Sequence, residues 1–191
     1  MRQLITPEGV RLADIIVPTV DTTRYSWLLQ ACLRVKKPVM FCGDSGTAKT
    51  VTAKDAFNQM SPDDFAFLTV NFSSRTSSYD FQMIIEENIE KKNITNYGPK
   101  MVGKKMVMFI DDLNMPTIDR YGTQSPNALL KFLVDRNQLF QRSGELLLRN
   151  IIDIRYVGCI SPPAGGNNRV DPRLMSLFNV FNLTFPNKEQ I

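Results

Sequence analysis

One stretch, residues 38–50, constrains the fold more than any other. Pro38-Val39-Met40-Phe41-Cys42 is an apolar run, and it leads directly into GDSGTAKT at 43–50. A buried strand that ends in such an octet and hands over to a helix is close to the phosphate-cradling pattern G-x-x-x-x-G-K-[ST]. The physics is direct. Backbone N–H groups across Gly43, Asp44, Ser45, Gly46, Thr47, Ala48, Lys49, Thr50 and Val51, with the positive end of the following helix, make a nest for phosphate oxygens. Lys49 is expected to reach the β- and γ-phosphates, and Thr50 to present its hydroxyl to Mg²⁺. Ala48 stands where the pattern has glycine. Its Cβ costs about 1–2 kcal/mol if the backbone there is left-handed.

A second motif fits the first. Lys104-Lys105 lead into Met106-Val107-Met108-Phe109-Ile110 and then Asp111-Asp112. Five consecutive apolar residues suggest a strand covered on both faces, as in a parallel sheet. Carboxylates at the C-terminal end of such a strand lie where open α/β sheets bind ligands. This is a Walker B pattern: Asp111 is expected to hold Mg²⁺ through water, and Asp112 to polarise the attacking water. The order and spacing of the two motifs are those of P-loop ATPases.

Composition narrows the chemistry further. The 191 residues are enough for one sizeable domain, and 43% hydrophobic with 22% charged is ordinary for a globular protein. No apolar run approaches the roughly 18 residues of a transmembrane helix, and MRQLITPEGV lacks the apolar centre of a signal peptide. No membrane partner is expected. Cys32, Cys42 and Cys159 are widely spaced, so neither a zinc site nor a disulfide framework is indicated. Cys42 and Cys159 are expected to be buried thiols in a reducing, cytoplasmic compartment. There is no histidine, which removes Ser-His-Asp and Cys-His mechanisms. Hydrolysis here must run on carboxylates, lysine, arginine and a metal. The net charge is +4. The basic residues nevertheless come in short pieces without interleaved aromatics, and no nucleic-acid partner is expected.

Along the chain, residues 1–37 read as an N-terminal lead-in and first helix, and 38–191 as a nucleotide-binding α/β unit. Asp21 or Thr22 is expected to cap a helix reaching about Lys36. Further helices are expected over about 49–60, from Ser77 or Ser78 to Lys92, over about 127–137 with Ala128, Leu129, Phe132 and Leu133 inward, and over 172–178. Strands are expected at 38–42, 65–72, 106–110, 151–160 and 180–185. A turn is expected at Asn96-Tyr97-Gly98-Pro99, and a hairpin over 138–149 around Ser143-Gly144. Alternating strands and helices give an α/β P-loop NTPase sandwich with a mostly parallel central sheet.

The combination of GDSGTAKT, Val70-Asn71-Phe72-Ser73-Ser74, the run Phe109-Ile110-Asp111-Asp112-Leu113-Asn114-Met115-Pro116 and Asp171-Pro172-Arg173-Leu174 resembles the AAA+ modules of dynein heavy chains. It is most similar to the third module in the motor ring of axonemal dyneins, and the likeness runs from about Ile15 to Pro186. The resemblance implies an excised large α/β subdomain whose small helical lid lies elsewhere in the heavy chain. It implies ATP or ADP with Mg²⁺ as ligands, and neighbouring AAA+ modules of the same heavy chain as partners. Other dynein subunits and microtubules are implied only through the full-length protein. The implied location is the cytoplasm and cytoskeleton, in the axoneme of a cilium or flagellum.

By motif, the resemblance places Ile16 and Val17 against the adenine. Asn71 is placed as the polar residue that restrains the catalytic carboxylate, and Ser161 at the strand end that senses the γ-phosphate. Arg173 becomes an arginine finger serving the next module's nucleotide. Two departures accompany Ala48. Asp112 replaces the usual glutamate and is one methylene shorter, and Ser161 replaces asparagine. Slow, regulatory hydrolysis is the implied activity. The alternative is a nucleotide-occupied structural ring segment without useful hydrolysis.

Overall fold

The computed structural model describes residues 19–185 apart from 143, 145 and 165. Ile16, Val17 and Ser143 therefore lie outside the described residues. The first helix, α1 (Val20–Arg34), begins earlier than expected. Thr19 is its cap: Thr22 N–H donates to Thr19 Oγ1 at 3.2 Å and Thr19 N–H donates to Thr22 Oγ1 at 2.8 Å. This reciprocal pair satisfies two otherwise orphaned donors, so neither Asp21 nor Thr22 takes the cap position.

The main sheet contains β1 (Val39–Cys42), β2 (Phe65–Asn71), β5 (Lys105–Asp111), β8 (Ile154–Ile160) and β9 (Asn179–Asn182), in the order β2-β5-β8-β1-β9. Every pairing within it is parallel. Neighbouring residues of a strand face opposite ways, so Met40 and Met108 enter one core while Phe41 and Phe109 enter the other. Helices α1 and α2 (Lys49–Asn58) cover the phenylalanine side, through Leu29, Leu33, Ala53 and Phe57. Helices α3 (Ser78–Asn88) and α4 (Ser125–Arg136) cover the other, through Phe81, Ile85, Leu130 and Leu133. All seven residues of β8 are buried.

Three expectations change. Asn96–Pro99 is a strand, β4, and pairs antiparallel with β3 (Ile89–Lys91). Helix α3 accordingly ends at Asn88, because Ile89 is extended (φ −115°, ψ 157°) and enters that strand. The run 151–160 is two strands, since Asp153 turns left-handed (φ 57°) between β7 (Leu148–Ile151) and β8. Strands β6 (Gln138–Phe140) and β7 form the expected hairpin, and β4 joins β7 in parallel. The result is a second sheet, β3-β4-β7-β6.

A short helix, α5 (Pro172–Met175), packs beside α4. In α4 the inward positions are Asn127, Leu130 and Leu133, and Ala128 is exposed. Of the expected stripe, Leu133 is buried and Leu129 packs against the core, Phe132 is half-buried, and Ala128 is exposed while the polar Asn127 turns inward.

Candidate functional site

The C-terminal ends of β1, β5 and β8 bring the two motifs together. Ser45, Gly46, Ala48, Lys49, Thr50, Val51, Asp111, Asp112 and Ser161 line one cleft of about 250 Å³. The loop's shape is set by its residue types. A Cβ on Gly43 would overlap the Leu183 carbonyl oxygen and stand 2.8 Å from Thr47 Oγ1, so only glycine fits that crossing. Gly46 has φ +87°. Ala48 is left-handed (φ 62°, ψ 24°), so the strain foreseen from its Cβ is present. It is also the N-cap of α2, and no side chain caps that helix. The first N–H groups of α2 are thus left facing an incoming anion.

Lys49 is buried, and its Nζ donates to the carbonyls of Gly43 (2.7 Å) and Asp44 (2.8 Å). Thr47 Oγ1 donates to the Asp44 carbonyl at 2.8 Å and braces the turn. The Thr50 hydroxyl lies 2.9 Å and 3.2 Å from the two oxygens of Asp111. Asp112 follows in a left-handed conformation (φ 52°), its N–H donating to Asp111 Oδ1 at 3.1 Å. Partial desolvation raises the Asp112 carboxyl above the ordinary aspartate range, the neighbouring Asp111 charge raises it further, and Lys49 opposes both.

A hydroxyl and a carboxylate on one side of a cleft suit Mg²⁺, which prefers oxygen ligands. Among the described residues no group of three or more acidic, cysteine or histidine side chains converges. The chain alone offers an incomplete octahedron, which phosphate oxygens and water would finish.

Other expected residues stand apart. Asn71 pairs in register with Asp111 but is exposed and does not line the cleft. Arg173 is exposed on α5; its N–H donates to Asp171 Oδ1 at 2.9 Å, and it lies outside the cleft lining. Cys159 is buried, which pushes its thiol well up, whereas Cys42 is only half-buried.

The sequence did not single out an amide cluster that fixes the chain after Asp112. Asn114 Nδ2 donates to the Ser161 carbonyl at 2.7 Å and ties the Walker B strand to the end of β8. Gln124 Nε2 donates to the Pro116 carbonyl at 2.7 Å, and Asn168 Nδ2 to the same oxygen at 2.9 Å. Asn127 Nδ2 donates to the Leu113 carbonyl at 3.0 Å and to Gln124 Oε1 at 2.8 Å. These buried amides supply donors to loop carbonyls that water does not reach. Their only sequence signal is a set of amides around that loop.

A family model described as P-loop containing dynein motor region matches residues 4–186. Homo sapiens dynein axonemal heavy chain 10 is 45% identical over 181 residues, 95% of this chain and 4% of that one. The Chlamydomonas reinhardtii dynein-1-alpha heavy chain of the flagellar inner arm I1 complex is 48% identical over 185 residues, 97% of this chain and 4% of that one. Mus musculus dynein axonemal heavy chain 2 is 37% identical over 185 residues, again 97% and 4%. The chain thus spans about 4% of the length of these relatives.

Proposed function

The chain belongs to the P-loop containing dynein motor region family, and from that premise we propose that it binds ATP or ADP with Mg²⁺ and hydrolyses ATP slowly, as a regulatory module of a motor ring. The ring would be that of an axonemal dynein heavy chain, with this chain as its third module. The neighbouring modules of the same heavy chain are its direct partners, and microtubules are reached only through the whole protein. The cilium or flagellum is the proposed location, since the relatives carry axonemal and flagellar names.

One observation carries the nucleotide reading: the hydroxyl of Thr50 and the carboxylate of Asp111, 61 residues apart, meet within 2.9 Å in the cleft that Lys49 also lines. Their roles follow from their chemistry. Lys49 exchanges two carbonyl acceptors for phosphate oxygens. Thr50 and Asp111 hold the ion, which neutralises phosphate charge when bound. Asp112 orients water as an acceptor. Burial and the neighbouring Asp111 charge raise its carboxyl above the ordinary aspartate range, which makes it the better proton acceptor once ionised. Arg173, exposed and outside the cleft lining, would serve the next module's nucleotide rather than its own.

A second reading, nucleotide as a fixed structural ligand without useful turnover, has its own support. Asp112 is short, and Asn71 and Arg173 both lie outside the cleft lining. A displacement of ~1 Å in the water-orienting group costs on the order of a hundredfold in rate.

Calorimetric titration of the nucleotide-free chain with ADP and with a slowly hydrolysed ATP analogue, with and without Mg²⁺, tests the reading. Micromolar, Mg²⁺-dependent binding that disappears in Lys49→Ala is expected. No binding by a folded wild-type chain would overturn it. Turnover that is unchanged in Asp112→Asn would favour the structural reading.

A further inference from the structure

The main sheet has a second opening, at the end of β8 opposite the phosphate loop. Pairing between β1 and β8 begins at Val39 and Val157, so Ile154, Arg155 and Tyr156 run past the start of β1. A cavity of about 550 Å³ lies at this notch, and Lys36, Pro38, Asn137, Asp153, Arg155 and Tyr156 are in its lining. It shares no lining residue with the phosphate cleft.

Arg155 is only 5% exposed. Its Nε donates to the Leu33 carbonyl at 3.3 Å, and its Nη1 to the Ile154 carbonyl at 3.2 Å. Both acceptors are neutral, and a guanidinium has further N–H donors to place. Among the described residues no carboxylate lies within ion-pair distance of it. Asp153 is the acidic residue of the lining, and its charge only partly offsets the burial that pulls the guanidinium below its ordinary value. A buried arginine is normally paired, because desolvating its charge is costly unless a counter-charge is close. Tyr156, the next residue, adds a buried hydroxyl with no hydrogen-bond partner among the described residues.

The backbone marks the same place. Lys36 (φ 62°), Asn137 (φ 53°) and Asp153 (φ 57°) are left-handed, and all three line this cavity. The other left-handed non-glycine residues among those described, Ala48 and Asp112, line the phosphate cleft. Such conformations cluster at ligand sites, where the surrounding structure holds them.

We infer that this cavity is a carboxylate site, and that its occupant is an acidic side chain from a segment of the heavy chain beyond these residues. The charge balance favours an anion, since Lys36 and Arg155 face a single acidic residue, Asp153. The planar fork of a guanidinium matches a carboxylate. The chain spans about 4% of the length of its relatives, so most of a heavy chain is available to supply the acid. The inference does not depend on nucleotide binding.

The test is hydrogen exchange followed by mass spectrometry, with glutarate as the stand-in for a glutamate side chain, on this chain and on the full-length heavy chain. In this chain, millimolar glutarate slows exchange severalfold across residues 33–38 and 151–153, and sodium chloride at equal ionic strength does not. Lys49→Ala responds like wild type, which separates this site from the phosphate loop. Arg155→Lys keeps the charge but loses the fork, and Lys36→Glu reverses an exposed charge without touching the Leu33 bond; each abolishes the response. In the heavy chain the same stretches already exchange slowly, glutarate adds nothing, and Lys36→Glu speeds them. Wild-type exchange indifferent to glutarate would overturn the inference, as would an undiminished response in both site variants. Fast exchange in the heavy chain that glutarate still slows would make the occupant a free carboxylate, and would overturn the assignment to the heavy chain. Slow exchange there that ignores Lys36→Glu would overturn it as well.

Discussion

Replacing Ala48 with glycine should stabilise this protein, although glycine usually weakens the interior of a helix. Ala48 holds φ 62° and ψ 24°, a left-handed conformation in which an L-residue's Cβ crowds the following carbonyl oxygen. That crowding costs about 1–2 kcal/mol, and glycine removes it. Against this stands the greater freedom of glycine in the unfolded chain, worth about 0.4–1 kcal/mol. Ala48 is exposed, so deleting its methyl group forfeits little burial. Its carbonyl still accepts from Thr52 N–H at 2.8 Å, so no backbone bond is lost. The net gain is about 0.5–1 kcal/mol. At about 2–4 °C per kcal/mol for a domain of this size, the midpoint should rise by roughly 1–4 °C. Ala128→Gly is the matched control. Ala128 is exposed inside α4 in ordinary right-handed geometry, and the same change there should cost about 1 kcal/mol. Differential scanning calorimetry of both variants reads the two signs directly. A lower midpoint for Ala48→Gly than for wild type would refute the reasoning, because the strain at residue 48 would then be absent in solution.

Two further outcomes follow from the site. The raised Asp112 carboxyl should titrate above the ordinary aspartate midpoint of about 3.9, and should fall back toward it in Asp111→Asn. Because the folded value is the higher one, Asp112 lowers stability as pH rises from the unfolded value through the folded one, and the deficit is relieved in acid. Carbon-13 NMR of the carboxyl checks this, and a wild-type midpoint at or below the ordinary value would contradict it. Asn127→Ala should leave the Leu113 carbonyl and Gln124 Oε1 without their donor, at about 1–3 kcal/mol. Asn127→Asp should cost more, since it sets a carboxylate against those two oxygens. Urea denaturation ranks the variants, and equal stability of all three chains would remove the amide cluster from the account.

What could be read from the sequence was whatever is encoded locally. The strands around 38–42 and 106–110 are unbroken apolar runs, and the residues after them carry their own signatures, so the main sheet and the meeting of both motifs were legible. The second sheet was not. Asn96-Tyr97-Gly98-Pro99 has the composition of a turn, and it becomes a strand because Ile89–Lys91 pairs with it across a short connection and β7 pairs with it from a distance. Nothing in four residues announces such partners. Asp153 divides what reads as one long strand, because its left-handed backbone lets Ile152 N–H reach the Tyr97 carbonyl while Ile154 pairs with Met106. The inward turn of Asn127 in α4 was hidden for a related reason. A hydrophobic stripe leaves an amide outside, but here Asn127 Nδ2 donates to the Leu113 carbonyl, a partner fourteen residues away.

The groups that would meet a nucleotide are already engaged with one another, and this shapes what the site can bind. Lys49 spends two donors on the Gly43 and Asp44 carbonyls, and Thr50 rests on Asp111. A ligand gains only by the difference between the bonds it offers and these. Neutral acceptors would merely match a carbonyl and leave no surplus. Phosphate oxygens make charge-assisted bonds, roughly twice as strong, so the exchange favours polyanions. The metal has the same dependence. One hydroxyl and one carboxylate leave most of an octahedral shell to be filled, and a nucleotide's phosphates are the ligands at hand. Ion and nucleotide would therefore complete each other's sites. By linkage, the factor by which Mg²⁺ tightens nucleotide binding must equal the factor by which nucleotide tightens Mg²⁺. A loop that is satisfied without ligand, and a hydroxyl–carboxylate pair too small to enclose an ion alone, would together make a cleft that selects the Mg²⁺–polyphosphate pair over either component alone.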